Sequence, residues 1–157
     1  MQQLSYPPIS EADQDLVERA ATHAYAQLGI LGGDITDLDL PLQTVAVVNV
    51  VQPIVDNGGF QYLFGRDFDF TPPYSLLSDA YRRIGADAAA NLIDRAVSLF
   101  PFHEPHLRER ERQRFMKSLP QNHEMFDLGY KLCGDKAVWQ ALADYVKNNL
   151  SAFRLTN

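Results

Sequence analysis

The stretch from Val45 to Phe70 constrains the fold more than any other part of the chain. It begins with a nearly continuous run of valine and isoleucine, reaches the sequence Asp-Asn-Gly-Gly at residues 56–59, and resumes with Phe-Gln-Tyr-Leu-Phe at residues 60–64. A run this apolar is buried on most of its surface, and adjacent glycines interrupt a regular helix. The stretch therefore predicts a buried helix, a sharp stop at the glycines and a second short helix.

Three residues, Asn57, Gly58 and Gly59, supply the physical reason for that stop. Glycine adopts positive φ without the steric penalty of a Cβ atom, so the first helix can end in a left-handed conformation. We expect the side-chain oxygen of Asn57 to cap the second helix. Two interpretations remain open: a purely structural corner, or a site whose backbone N–H groups hold an anion or another ligand. The spacing and lysine of a phosphate loop are missing.

The acidic surplus of the chain is concentrated in residues 31–79, and the formal net charge of the whole chain is −6. That segment contains one base, Arg66, and seven acids: Asp34, Asp37, Asp39, Asp56, Asp67, Asp69 and Asp79. Direct binding of nucleic acid through this segment is disfavoured, because phosphate groups are bound by Lys and Arg. The pattern indicates either an acidic face for a basic partner or a set of solvated acidic loops.

Apolar residues at helical spacing predict an all-α single domain over residues 1–157, with about seven or eight helices and flexible ends at residues 1–9 and 151–157. Glycines, prolines and capping residues separate the helices. We expect Pro53 to bend the second helix or to end it early. The charged helix near residues 106–117 is expected to be exposed on most of its circumference. Its contact side is expected to contain Leu107, Arg110 or Glu111, Phe115 and Met116.

Few residues suggest catalysis or metal binding. His103 and His106 lie three residues apart, but Pro105 intervenes and no third ligand has a recognisable spacing. The single cysteine, Cys133, excludes an intramolecular disulfide and a cysteine-based zinc site. We therefore expect no enzyme activity, no metal and no cofactor. One aromatic set either lines a pocket or anchors the core and loops: Tyr6, Phe60, Tyr62, Phe64, Phe68, Phe70 and Tyr74.

The amino-terminal sequence and the apolar runs bear on localisation. The first residues have neither the basic patch nor the apolar core of a signal peptide. The longest apolar run is interrupted by polar residues and is shorter than the roughly 20 residues that a membrane span needs. We expect a cytoplasmic protein that does not bind membranes.

Five sequence elements resemble those of a known family. They are Asp56-Asn57-Gly58-Gly59-Phe60-Gln61-Tyr62-Leu63-Phe64, Ala80-Tyr81-Arg82-Arg83-Ile84-Gly85-Ala86, Leu99-Phe100-Pro101, Phe126-Asp127-Leu128 and Tyr145-Val146-Lys147-Asn148-Asn149. Over roughly residues 10–150 they look like the pattern of a family of small helical bacterial proteins that is named for a DNA-mimic protein. The structural motif within this pattern comprises Asn57, Gly58, Gly59, Phe60, Tyr62, Ile84 and Gly85.

The resemblance implies an all-α fold. For the member that gave the family its name, it also implies an acidic surface that imitates DNA phosphates and occupies the DNA-binding face of a transcription regulator. We accordingly expect a non-enzymatic interaction protein whose seven aspartates form an acidic face for a basic partner. One alternative is an immunity-type inhibitor of a bacterial toxin, and another is an enzyme or small-ligand-binding protein with a pocket near residues 57–64. A homodimer is compatible with each of these functions.

Overall fold

Helices account for all the regular secondary structure in residues 5–156, the part of the chain that the computed structural model describes. The α-helices are α1 (Glu11–Ile30), α2 (Leu40–Gly65), α3 (Ser75–Arg83), α4 (Asp87–Ser98), α5 (Glu109–Ser118), α6 (Glu124–Leu132) and α7 (Lys136–Lys147). Short 3-10 helices occupy Ile35–Asp37, Pro105–Leu107 and Leu150–Phe153. The predicted all-α fold with seven or eight helices in one domain is confirmed.

Helix α2 forms the centre of the fold and contacts α1, α3, α5, α6 and α7. Four consecutive residues, Val45 to Val48, have no solvent exposure, because neighbouring helices cover α2 on several sides. The surrounding helices each bury one face instead. On α7, for example, the buried residues Val138, Leu142 and Val146 recur at intervals of four, which places them on one side of a helix.

The glycine pair divides α2 into two helical parts. The backbone departs from helical dihedral angles at Gly58 (φ −169°, ψ 15°) and at Gly59 (φ 68°, ψ −160°), and both flanking parts are helical. The predicted stop and the predicted second short helix are therefore confirmed. The positive φ belongs to Gly59, whereas the φ of Gly58 is that of an extended backbone.

Of the two effects predicted for Pro53, a bend or an early end of α2, the early end is wrong, and the bend stays a prediction. The helix continues past this proline, and its dihedral angles become non-helical only at the glycine pair. Proline removes one backbone N–H donor and restricts the preceding turn. The flanking residues Val51, Gln52 and Val55 are fully buried, so packing against the surrounding helices holds this segment in the helical conformation.

The segments next to both termini, which the sequence predicts to be flexible, pack on the helices in the structure, and their flexibility stays a prediction. Ile9 is only 9% exposed and Phe153 only 1%. The side-chain amide of Gln14 donates to the carbonyl oxygens of Pro7 and Ile9, at 2.7 and 3.0 Å, and so fixes the amino-terminal segment on α1. Residues 1–4 and 157, which belong to the same prediction, lie outside the described residues.

Helix α5 is less exposed than its charged sequence predicts. Arg112 has no solvent exposure, whereas Leu107, expected on the contact side, is 68% exposed and lies in the preceding 3-10 turn. Of the other residues expected on that side, Met116 is buried and Phe115 packs against the core. The helical period places Arg112 on the same face as Met116, and only its hydrogen bonds make its burial possible.

Candidate interaction surfaces

Five of the predicted acidic residues are exposed and lack a basic partner. Among the described residues, no Lys, Arg or His nitrogen lies within 4.0 Å of their carboxylate oxygens, although six ion pairs of that kind exist elsewhere. We call this set the acidic face; it comprises Asp34, Asp37, Asp39, Asp69 and Asp79. Its carboxylates form no ion pair within the described part of the chain.

The acidic face is arranged around the amino-terminal end of α2. The side chain of Gln43, in the first turn of α2, donates to the carbonyl oxygen of Ile35 at 3.1 Å and so ties residues 34–39 to the helix. Asp34 and Asp69 line the same cavity of about 270 Å³, so the loop before α3 also reaches this region. Arg83, one turn after Asp79, donates to the hydroxyl of Thr44 at 2.7 Å. The end of α3 therefore lies beside the start of α2.

Local hydrogen bonds keep Asp34 ionised. The hydroxyl and the backbone N–H of Thr36 donate to Asp34 Oδ1 at 2.7 and 2.9 Å and lower the pKa of the Asp34 carboxyl group. Asp39 occupies the position before the first residue of α2, but its side chain makes no capping hydrogen bond. Its carboxylate remains available to a partner.

Asp56 does not belong to the exposed acidic face, which corrects the assignment made from the sequence. Both of its carboxylate oxygens accept hydrogen bonds inside the fold. Oδ1 accepts from the side chain of Gln52 at 2.8 Å and from the backbone N–H of Gly134 at 2.6 Å. Oδ2 accepts from the hydroxyl of Tyr6 at 2.7 Å and from the indole N–H of Trp139 at 3.1 Å. Asp56 therefore joins the amino-terminal segment, α2 and the start of α7.

Asp67 is half-exposed, but its charge is balanced by the buried guanidinium of Arg112, with which it forms an ion pair. Arg112 also donates to the carbonyl oxygens of Phe64 and Pro105, at 3.0 and 2.6 Å. A buried cation is tolerated when it is paired and hydrogen-bonded in this way. The arrangement fixes the end of α2 against α5, so Asp67 acts within the fold and contributes less net charge to an acidic face.

The corner at residues 57–60 is held by close packing and not by the predicted cap. Asn57 is exposed, and within residues 5–156 its side chain forms no hydrogen bond, so the predicted capping role is wrong. The kink instead packs on Gly129 of α6, where an added Cβ atom would lie 2.7 Å from the backbone nitrogen of Phe60. Only a glycine at position 129 allows this approach. No local sequence pattern marks Gly129 for this contact.

The second element of the predicted motif is a helix end. Gly85 has a φ of 84° and follows α3, and the next backbone N–H, that of Ala86, donates to the carbonyl oxygen of Tyr81 at 2.9 Å. This left-handed ending satisfies carbonyl groups of the last turn. Ile84 is 8% exposed and packs in the core. Ile84 and Gly85 therefore have structural roles, in the core and at the end of α3.

The family model of the DMP19-like protein matches residues 36–149, which is more than half of the chain. The chain belongs to the DMP19-like protein family. The resemblance to the DNA-mimic family is thereby confirmed. No curated protein and no solved structure gives a significant match.

The matched region of this DMP19-like protein starts within the first 3-10 helix and ends just after α7. It contains the kink of α2, Gly129 and four of the five members of the acidic face; Asp34 lies just before it. Helix α1 lies outside the match.

A groove lies beside the kink in this DMP19-like protein, with a volume of about 740 Å³. The residues that line it are Ile54, Asn57, Gln61, Tyr62, Gly65, Arg66, Asp67 and Phe68. The aromatic set from the sequence is thus divided between two roles. Phe60, Phe64 and Tyr74 are buried in the core, whereas Tyr62 is 56% exposed in the groove.

The remaining candidate residues form no metal site within residues 5–156. No group of three or more His, Cys, Asp or Glu side chains there is arranged to hold a metal ion. Cys133 is exposed, and its thiol donates to the carbonyl oxygen of Asp56 at 3.3 Å. None of the described helices combines the length and apolarity that crossing a membrane requires.

Proposed function

We propose that this DMP19-like protein is a cytoplasmic, non-enzymatic binding protein whose acidic face occupies the DNA-binding surface of a basic protein. The observation that carries the proposal is the set of five exposed carboxylates around the start of α2 that have no basic partner among the described residues. Membership of the DMP19-like family supports the same function.

The physical reason is the cost of assembling like charges. Carboxylates close together on one surface repel one another, and the repulsion is relieved by a partner of opposite charge. Some acids elsewhere in the molecule form ion pairs, as in Arg82 with Asp94 and Arg95 with Glu124, whereas others, such as Glu18 and Asp127, do not. The acidic face lacks such pairs. DNA-binding surfaces carry the Lys and Arg side chains that complement carboxylates as they do phosphates.

The test is capture of partners from a lysate of the native cells on immobilised protein. One variant removes charge from the acidic face: Asp37→Asn, Asp39→Asn and Asp69→Asn. A matched control removes the same charge from exposed acids that have no ion pair in the described part of the chain: Glu18→Gln, Glu111→Gln and Asp127→Asn. Both variants have the same net charge, so only the location of the change differs.

We expect the wild-type protein and the control to retain basic DNA-binding proteins that elute as the salt concentration rises and that duplex DNA displaces. The face variant should retain much less of them, because electrostatic recognition depends on local charge and is screened by salt. Equal retention by the two triple variants, or partners that salt and DNA do not displace, would contradict the proposal. A small molecule turned over by the purified protein would contradict its non-enzymatic part.

A further inference from the structure

The groove beside the kink contains the only base of the acidic segment. Residues 31–79 hold a single base, Arg66, and its side chain lies in the wall of the groove. The neighbouring carboxylate, Asp67, pairs with Arg112 instead. Among the described residues, no carboxylate oxygen lies within 4.0 Å of the Arg66 guanidinium, which is exposed. This cation is therefore available to an anion from outside the chain.

The fold holds the groove in a defined shape from two sides. On one side, the ring of Tyr62 lies against the backbone of Gly58, so closely that a Cβ atom there would be 2.3 Å from Tyr62 Cγ. On the other side, α5 holds the end of α2, since Gln113 donates to the carbonyl oxygen of Gly65 at 2.9 Å and Arg112 to that of Phe64 at 3.0 Å. The positions of Tyr62 and Arg66 thus follow from the kink and from α5.

The lining combines three chemical features. Ile54, Tyr62 and Phe68 supply apolar surface, Arg66 supplies a positive charge, and Asn57 and Gln61 supply amide groups. The side chains of Asn57 and Gln61 have no hydrogen-bond partner in the described part of the chain, and each amide both donates and accepts as a peptide group does. The volume of about 740 Å³ lies in the range of ligand sites.

The charge of the surroundings selects the class of ligand. One arginine balances one negative charge. A polyphosphate or a nucleic acid would bring several negative charges. It would meet the carboxylate of Asp67, which lines the groove, and that of Glu109, which accepts from the backbone N–H of Asp67 at 3.1 Å. A single carboxylate avoids this repulsion and can pair bidentately with the guanidinium.

We propose that the groove is a second binding site, which takes an extended peptide segment carrying one carboxylate next to an apolar side chain. Arg66 binds the carboxylate, Tyr62 and Phe68 contact the apolar side chain, and Asn57 and Gln61 pair with the peptide backbone. The site selects for acidic ligands, whereas the acidic face selects for basic ones. One protein can therefore hold two partners of opposite charge.

The test begins with an array of immobilised hexapeptides probed with the dye-labelled full chain. The selected peptides are then titrated calorimetrically against wild-type protein, Arg66→Gln, Tyr62→Ala and, as a matched control, Arg114→Gln. Arg114 is an exposed arginine on α5 that does not line the groove. Adenosine monophosphate is titrated in parallel as a probe for a nucleotide ligand.

We expect the selected peptides to carry Asp or Glu within two positions of an apolar residue. Arg66→Gln should weaken their binding about tenfold, equivalent to about 1.4 kcal/mol, and replacing the peptide Asp by Asn should remove the difference between wild type and Arg66→Gln. Arg114→Gln should stay within about twofold of wild type. Amide chemical shifts of Gly65 and Arg66 should move on titration.

Three results would overturn the proposal: no peptide bound, peptides without an acidic residue, or equal affinity in wild type and Arg66→Gln. Binding of adenosine monophosphate with loss in Arg66→Gln would reassign the groove to nucleotides and would equally overturn it. The variant with Asp37→Asn, Asp39→Asn and Asp69→Asn separates the two sites, since it should bind the peptides as wild type does. This variant therefore distinguishes an incorrect assignment of the acidic face from an incorrect assignment of the groove.

Discussion

Replacing Gly129 by alanine is expected to destabilise the protein, although alanine is the better helix former. Gly129 lies inside α6, where Gly→Ala alone stabilises a helix by about 1 kcal/mol. An added Cβ atom would lie 2.7 Å from the backbone nitrogen of Phe60 and 3.4 Å from Cα of Gly59. These are main-chain atoms, so a change of rotamer cannot relieve the overlap. Helix α6 must move away from the kink of α2.

The size of the effect follows from two opposing terms. Overpacking of a well-packed core costs about 1–3 kcal/mol. The upper part of that range applies here, because α6 is also anchored by Met125 and Leu132, which have no solvent exposure. After the gain in helix propensity, the free energy of unfolding should fall by about 1–2 kcal/mol, which lowers the Tm by about 2–8 °C for a chain of this size.

Urea unfolding followed by far-UV circular dichroism and by the fluorescence of Trp139, the single tryptophan, measures this difference. The matched control is Gly29→Ala in α1, where no atom lies within 4 Å of the added Cβ. Its stability should equal or slightly exceed that of wild type. If Gly129→Ala is as stable as Gly29→Ala, the inference that these backbones need a glycine to approach is refuted.

Three further predictions concern the corner, the core and an ion pair. Gly59→Val should lower the free energy of unfolding by about 1–3 kcal/mol, because φ 68° with ψ −160° is a glycine conformation; urea unfolding identical to wild type would exclude this. Tyr74→Phe should raise the free energy of unfolding by about 1 kcal/mol, because the buried Tyr74 hydroxyl has no hydrogen-bond partner among the described residues. A loss of stability in this variant would show that the hydroxyl has a partner, such as a buried water. Hydrogen bonds from Lys147 and Gln140 lower the pKa of the Asp13 carboxyl group from 3.8. The ionised carboxylate therefore stabilises the fold above about pH 3.8, and this contribution is lost as the pH falls through the folded-state pKa. The Tm difference between wild type and Asp13→Asn should therefore shrink as the pH falls below about 4, and a difference independent of pH would disprove the assignment.

Local signals were sufficient to predict most of the helices. Helix α3 ends at Arg83, two residues before Gly85, and α6 ends at Leu132, two residues before Gly134, because glycines act on their immediate neighbours. The stop in α2 was predictable for the same reason, since positive φ favours glycine.

Tertiary contacts determine the burial of Arg112 and the orientation of Asp56, which local sequence patterns did not predict. Arg112 is buried because its donors reach carbonyl oxygens of Phe64 and Pro105 and the carboxylate of Asp67, and no local pattern encodes those distant partners. Asp56 resembles a loop acid in its Asp-Asn-Gly-Gly sequence, yet α2 continues beyond it and turns its carboxylate toward Trp139. The predicted acidic face therefore contained residues of two kinds, and only side-chain contacts separate them.

The predicted capping role of Asn57 was wrong for the same reason, because tertiary contacts determine where its side chain lies. An asparagine before two glycines satisfies the capping preference, but the observed kink leaves its side chain in the groove, so Asn57→Ala should change the free energy of unfolding by less than about 0.5 kcal/mol. The loss of about 0.5–2 kcal/mol that a cap implies is no longer expected.

Competition with DNA tests whether the acidic face takes the place of DNA on its partner. A labelled duplex is bound to the captured basic protein, unlabelled DMP19-like protein is added, and fluorescence polarisation of the duplex is recorded. Polarisation should fall to the value of free DNA with wild-type protein and with the Glu18→Gln, Glu111→Gln, Asp127→Asn control, and should remain high with the Asp37→Asn, Asp39→Asn, Asp69→Asn variant. Polarisation that stays constant or rises with wild-type protein would mean that DNA and this protein bind different surfaces, which contradicts the proposed function.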